Sequence, residues 1–191
     1  VIDMLRLNAS ASIGTWKFTG DAAGSYLKDE FNEAGQVTGQ TTTDYTYALK
    51  DLFVGDMPQT GMALGATVTP IDGLSIQALF NFYDNNYSDW SPDDREYDST
   101  DPEDVPDTEQ VWKAPGYSKM DIHISYDLPE IAGLKLQAFA HLFNATDEVY
   151  VQDAVDNSQY NSYGTKEHAA HNAEVFLGAP RYFNAGLTVR F

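Results

Sequence analysis

Six segments of this chain place apolar side chains at every second position, and this alternation constrains the fold more than any other feature. Such a period predicts β-strands with one apolar face. The predicted strands cover 5–14, 61–69, 74–83, 119–126, 134–143 and 182–191. Each is about the length that a tilted strand needs to cross a bilayer. The pattern therefore predicts an all-β, antiparallel architecture.

The connections between these segments alternate strictly between short and long. Two are tight turns with proline and glycine, 70–73 and 129–133, and three are long, 19–60, 84–117 and 147–180. The long ones carry net charges of −5, −9 and −5, whereas the rest of the chain carries +1. A soluble sheet or lipocalin-like barrel would have short connections at both ends. Long outer loops and short periplasmic turns are typical of an outer-membrane β-barrel, so we expect a transmembrane barrel in the cell outer membrane.

Parity assigns the residues of each predicted strand to two faces. Ile122 and Ile124 share a face with apolar neighbours, which predicts contact with outer-membrane lipid. The intervening residues are predicted to face the barrel lumen. These lumen-facing candidates are Lys119, Asp121, His123, Lys135, Gln137, Phe139, His141, Asn184 and Arg190.

Composition excludes several classes of function. The net charge of −18 would repel the phosphates of nucleic acid. The chain has no cysteine, so neither disulfides nor thiolate chemistry are expected. No nucleophile motif or phosphate-binding glycine loop is present, and we predict neither enzymatic activity nor a cofactor or metal. The sequence opens without a signal peptide, which leads us to expect a trimmed chain or one whose N-terminal part is missing.

The last predicted strand ends in an aromatic residue preceded by apolar residues at alternating positions. This pattern is the signal that the barrel-assembly machinery reads, so that machinery is an expected partner. The predicted signal consists of Phe183, Leu187, Val189 and Phe191.

Several stretches then resemble TonB-dependent outer-membrane receptors. Residues 179–187 (APRYFNAGL) resemble the final strand of that family, and Leu142-Phe143-Asn144 with Val149-Tyr150 resembles its "N-L-F-D…Y" penultimate motif. Residues 115–126 resemble the preceding "P-x-Y…D…Y" strand, and 55–60 (GDMPQT) resemble the "P-x-x-T" entry to an earlier one. His141 departs from the pattern, because the family favours Asn there.

The resemblance implies an architecture and partners that the spacing alone does not. Residues 1–191 would be the C-terminal part of a receptor barrel of about 22 strands, about six of which lie here, with the plug and earlier strands absent. Such receptors import scarce nutrients (siderophore, cobalamin, haem, glycan or peptide) with energy from the inner membrane. Implied partners are the remainder of the receptor, TonB through the missing N-terminal region, and a surface lipoprotein lid. The alternatives are a passive porin-like or structural barrel and an outer-membrane hydrolase.

Two loop features have a plain explanation on sequence grounds. His168 and His171 lie three residues apart, but without the H-E-x-x-H order of metalloproteases, so we expect solvated loop histidines. The acidic run 93–109 offers oxygen ligands for calcium but lacks the order of a calcium loop. We expect that run to be mobile and solvated.

Overall fold

A computed structural model describes residues 4–130, 133–163 and 165–190. Its principal element is a six-stranded antiparallel sheet in the order β1-β4-β5-β9-β10-β13. The strands are β1 (Leu5–Ile13), β4 (Thr60–Val68), β5 (Leu74–Asp84), β9 (Tyr117–Asp127), β10 (Lys135–Phe143) and β13 (Tyr182–Arg190). These are the six predicted strands, each within a few residues of its expected bounds. The all-β antiparallel prediction is confirmed.

The long connections contain strands that alternation did not predict. The first connection forms a hairpin of β2 (Ala22–Phe31) and β3 (Val37–Tyr47). The short strand β7 (Glu96–Tyr97) pairs with β3 and makes this a three-stranded sheet. The third forms β11 (Val151–Asp156) paired with β12 (Ala173–Leu177). In the second connection, β6 (Asn86–Tyr87) pairs with β8 (Lys113–Ala114). Within the described residues, helical structure is limited to α1 (Ser158–Asn161) and the 3₁₀ turns Pro92–Arg95 and Ala170–Asn172. No helix in the described part of the chain is long and apolar enough to span a membrane.

Both tight turns lie at one end of the sheet, and the three long connections lie at the other. Gly73 and Gly133 have φ values of 80° and 81°, which side chains with a Cβ rarely adopt, so glycine suits both turns. We call these the turn end and the loop end of the sheet. The predicted segregation of short and long connections is therefore observed.

The register of the ladders shows that the strands run obliquely to the line of the turns. The β4–β5 hairpin closes at the pair Val68 and Ile76, and Ile76 lies opposite Ile124 in β9. The next hairpin closes at Asp127 and Gln137, three residues farther along β9. Three residues along the strands is about 10 Å, and two strand spacings is also about 10 Å. The strands are therefore inclined by roughly 45° to the direction perpendicular to the line that joins the two turns. This is close to the strand tilt of membrane barrels.

The sheet is open. Its edge strands β1 and β13 each have one neighbour, and in the described ranges no ladder joins them to each other. The sheet accordingly presents two rows of backbone groups without strand partners.

The buried apolar core lies among the loops rather than on the sheet. Leu49, Leu52, Trp90 and Val111 form a buried cluster, against which Phe18 packs edge-on to Trp90 at 5.4 Å. These residues come from the first and second long connections. The core therefore holds those two connections together above the loop end.

Gly55 offers a test of this packing. A Cβ at Gly55 would collide with the backbone carbonyl of Ser88 and lie 2.8 Å from Cα of Asp89, whereas a Cβ at Gly20 would meet no atom within 4 Å. Because backbone cannot move aside cheaply, Gly55→Ala should destabilise the loop assembly by about 1–3 kcal/mol. Gly20→Ala is the matched control and should change little. Thermal unfolding of both variants measures the difference, and equal melting temperatures would contradict the packing described.

Candidate functional site

The nine lumen-facing candidates all lie on one face of the sheet. His123, His141 and Asn184 are directly opposite one another across β9, β10 and β13, and strict alternation places the other six on the same side. We call this side the His123 face. Ile124 lies opposite Ile76 and Ala140 on the other side, which we call the Ile124 face.

Apolar side chains on the Ile124 face are exposed across the whole width of the sheet. Leu7 is 71 % exposed on β1, and Phe183 is 79 % exposed on β13. Leu64, Phe80, Ile124 and Leu187 are also exposed between them. A folded soluble domain rarely exposes so wide an apolar area, since such patches mark contact with a partner or a membrane. Three of the residues predicted to form an assembly signal, Phe183, Leu187 and Val189, belong to this face, and Phe191 lies outside the described residues.

The His123 face carries polar contacts between neighbouring strands. Nδ1 of His123 lies 2.8 Å from Nδ1 of His141. The Lys119 ammonium lies 3.7 Å from the Asp121 carboxylate, and Gln137 donates to Asp127 at 2.8 Å. Lys135 and Arg190 face each other in the β10–β13 ladder. The structure thus brings the two histidines together and gathers cations at the turn end.

Aromatic rings line the same face toward the loop end. The Phe139 ring lies 5.3 Å from His141 and covers Gly186, where a Cβ would meet the ring at 2.9 Å or less. Phe143 stacks on Tyr182 at 4.7 Å. Glycine opposite an aromatic ring lets the ring lie flat against the sheet. The face therefore offers flat apolar surfaces beside the polar pairs.

Asn144 follows β10 directly and adopts a conformation that suits its residue type. Its φ of 48° lies in the left-handed region, which Asn tolerates better than most residues. Its backbone N–H donates to Asp121 at 2.8 Å, and its side chain donates to the carbonyls of Glu148 and Ala179. Asn144 therefore anchors both ends of the third long connection to the sheet.

A second cluster lies in the loops and corrects the expectation for His168. That residue is 6 % exposed, and Arg95, Asp107, Asp156 and Ser158 surround it. His168 Nε2 lies 2.9 Å from Asp107, and His168 Nδ1 lies 2.7 Å from Asp156. The prediction of a solvated histidine is wrong for His168, because two carboxylates from other parts of the chain hold it. For His171, whose side chain is 67 % exposed, the prediction is confirmed.

The acidic run 93–109 is likewise not uniformly solvated. Arg95 is 1 % exposed and bridges to Asp107 at 2.7 Å, while Asp98, Asp101 and Asp104 are exposed. The expectation of a mobile, solvated loop is wrong for the buried pair because a charge without a partner could not be buried there. Arg95 is the one basic residue in that run, and this was the sequence feature that could have indicated an ion pair there. Among the described residues, no three His, Cys, Asp or Glu side chains are grouped to hold a metal ion.

The electrostatics of this cluster favour an ion-paired His168. Burial lowers the pKa of His168, but hydrogen bonds to Asp107 and Asp156 outweigh it and raise the pKa to about 9. Burial raises the pKa of Asp107 and of Asp156, but their bonds to His168 outweigh it and leave both values below the ordinary one. At neutral pH the cluster is therefore an imidazolium between two carboxylates, with the Arg95–Asp107 pair beside it.

The same geometry argues against nucleophilic catalysis by Ser158. Ser158 Oγ lies 3.0 Å from His168 Nδ1, but Nδ1 also contacts Asp156 and Nε2 contacts Asp107. A general base needs a free nitrogen lone pair, which a protonated ring between two carboxylates lacks. Ser158 is also 2 % exposed, so a substrate could not reach it. The arrangement serves to join the second and third long connections.

Comparison of the chain with protein-family models, with curated proteins and with solved structures found no match.

Proposed function

We propose that this chain forms part of the wall of an outer-membrane β-barrel, namely that of a TonB-dependent transporter that imports a scarce nutrient. The observation that carries the proposal is the exposed apolar surface of the Ile124 face. In contact with lipid, side chains such as Leu7 and Phe183 would be buried rather than wetted. The His123 face would then line the lumen, where polar pairs and aromatic rings are common.

Three further features support a barrel wall. The strands tilt by roughly 45°, the long acidic loops lie at one end, and the edge strands β1 and β13 lack a second neighbour. In hydrocarbon each backbone group without a partner costs several kcal/mol, so an open sheet does not span a membrane. The proposal therefore requires further strands of the same receptor along both edges. On this view its partners are lipid, the rest of the receptor, TonB and the barrel-assembly machinery.

Spin labels test the membrane placement, and residues 1–191 contain no cysteine of their own that would take up the label. Nitroxides at Leu187→Cys and Thr188→Cys, in the full receptor in lipid vesicles, form a matched pair on opposite faces of β13. The label at 187 should collide more with oxygen, which concentrates in lipid, and the label at 188 more with a water-soluble nickel chelate. Equal access of the nickel chelate to both positions would contradict the proposal.

Two assays separate energised transport from the alternatives. In liposomes containing the full protein, arabinose should cause little swelling if a plug fills the barrel, and rapid swelling would favour the passive porin. The periplasmic domain of TonB should retain the full protein in a pull-down, and failure to do so would contradict the transporter class. The loop geometry around Ser158 gives the hydrolase alternative no support.

The chain expressed alone tests the need for further strands. Closed outer-membrane barrels resist unfolding in cold SDS and migrate faster on a gel before boiling than after. Because two edges lack partners, residues 1–191 alone should show no such heat-dependent shift. A shift in the isolated chain would indicate that six strands close on themselves.

A further inference from the structure

The His123–His141 pair brings two imidazole nitrogens, which can donate a hydrogen bond or bind a metal, close together on one face of the sheet. The two residues are direct cross-strand partners in the β9–β10 ladder, and their Nδ1 atoms lie 2.8 Å apart. At this distance one nitrogen donates a proton that the other accepts. Both side chains are half-buried, so water and small ions can still reach the pair.

We propose that His123 and His141 form a bidentate binding site for a divalent transition-metal ion, with Cu²⁺ the preferred ion. A metal–imidazole bond is about 2.0–2.1 Å long, so two nitrogens at a right angle about one ion lie about 2.9 Å apart, and at a tetrahedral angle about 3.3 Å apart. The observed 2.8 Å is close to the right-angle value, and it is also the length of the hydrogen bond that the pair forms without an ion. Square-planar or tetragonal N and O coordination is typical of Cu²⁺ and Ni²⁺, and Cu²⁺ binds most tightly of the divalent series.

The surroundings suit such an ion. Gln77 lies opposite His123 on one side, and Asn184 lies opposite His141 on the other. Directly opposite residues have Cβ atoms about 4.5–5.5 Å apart, so an amide side chain neighbours each imidazole, and the Gln77 amide donates to Thr67 Oγ1 at 3.2 Å. Asp121 lies two residues from His123 on the same face, where its carboxylate contacts the Lys119 ammonium at 3.7 Å. When the ion binds, the shared proton moves to the Nε2 of its own ring, so each imidazole remains neutral and presents Nδ1 to the metal.

Electron paramagnetic resonance with Cu²⁺ alone tests the site in the full protein, purified in detergent without a histidine tag. The expected spectrum at one equivalent is tetragonal, with hyperfine splitting from two imidazole nitrogens. His123→Gln and His141→Asn should each reduce the splitting to that of one nitrogen. Each should also weaken Cu²⁺ binding by more than about tenfold, because loss of a residue that only hydrogen-bonds to a metal ligand already costs about that much. His171→Gln removes an exposed histidine of the loops and should leave both spectrum and affinity unchanged.

The two variants also address folding, because both replacements are polar and neutral and keep hydrogen-bonding atoms. Matching circular dichroism of variants and parent shows that a lost signal reflects a lost ligand. If one of the two variants fails to fold, the spectrum and Cu²⁺ affinity of the other variant test the site. Absence of tight Cu²⁺ binding by the parent protein would overturn the inference, as would a two-nitrogen spectrum that survives both replacements.

Discussion

Replacing His168 with glutamine should release the second and third long connections from each other. The change removes the cation between Asp107 and Asp156, and Asp156 is 9 % exposed. Removing one partner of a buried ion pair costs about 3–5 kcal/mol, because the remaining charge is left uncompensated. The open state of the loops should therefore become at least about a hundredfold more populated.

Trypsin measures this opening, since the Arg95 side chain is fully buried and the peptide bond after it can be cut only when the loops separate. Cleavage after Arg95 should accelerate by at least about a hundredfold in His168→Gln, because proteolysis follows the open population when opening is fast. Cleavage after Lys28, which is exposed on β2, serves as the internal reference. His171→Gln is the matched variant and should cleave at the parental rate. Equal protection of Arg95 in both variants would show that His168 does not join the loops.

The same contact should depend on pH. The pKa of His168 is raised from 6.5 to about 9 in the folded protein. Its contribution is therefore fully present below about pH 6.5 and is lost as pH rises through about 9. Asp107 and Asp156 have lowered pKa values, so their contribution is present above their ordinary pKa and is lost as pH falls below it. Cleavage after Arg95, relative to Lys28, should rise between pH 7 and pH 10 in the parent and stay flat in His168→Gln.

The sheet could be predicted from the sequence, whereas the loop cluster could not. Six strands alternate over about nine residues each, and the period alone assigns every residue to a face, so the facing of His123 and His141 followed once their strands were paired. The hairpin of β2 and β3 was missed because polar residues occupy both of its faces, as in Thr41-Thr42-Thr43. The sequence did contain a residue typical of its turn, Gly35, which has a φ of 74°.

The environment of His168 depends on partners that are distant in sequence. Asp107 lies 61 residues away, and Asp156 lies 12 residues away. No local pattern indicates which of the many acidic residues in the long connections would be buried. The choice depends on how the connections pack around Leu49, Leu52 and Trp90. Local periodicity carries no information on that packing, whereas it describes a regular strand fully.

Substituting arginine for Ile122 gives the sharpest test of what the Ile124 face contacts. Ile122 is on that face, and lies five residues from the turn-end residue Asp127 of β9. At a tilt of roughly 45° this places it about 12 Å above the turns, near the middle of an apolar band about 25 Å tall. If lipid covers the face, Ile122→Arg should lower the free energy of unfolding by about 2–4 kcal/mol. Ile124→Arg should cost less, because Ile124 lies nearer the rim.

Ser125→Arg on the His123 face is the matched control. Ser125 lies opposite Ser75 and Phe139. If the His123 face lines a barrel lumen, as proposed, arginine there would stay in water, so we expect a cost within about 1 kcal/mol. Guanidinium titrations of the full protein in lipid vesicles, followed by tryptophan fluorescence, measure all three variants. If water bathed the Ile124 face, arginine there would be a surface substitution, with an effect of about 0.5 kcal/mol or less. Similar small effects at 122, 124 and 125 would therefore reject the lipid contact, whereas a cost that falls from 122 to 124 and is small at 125 requires a membrane on one side of the sheet.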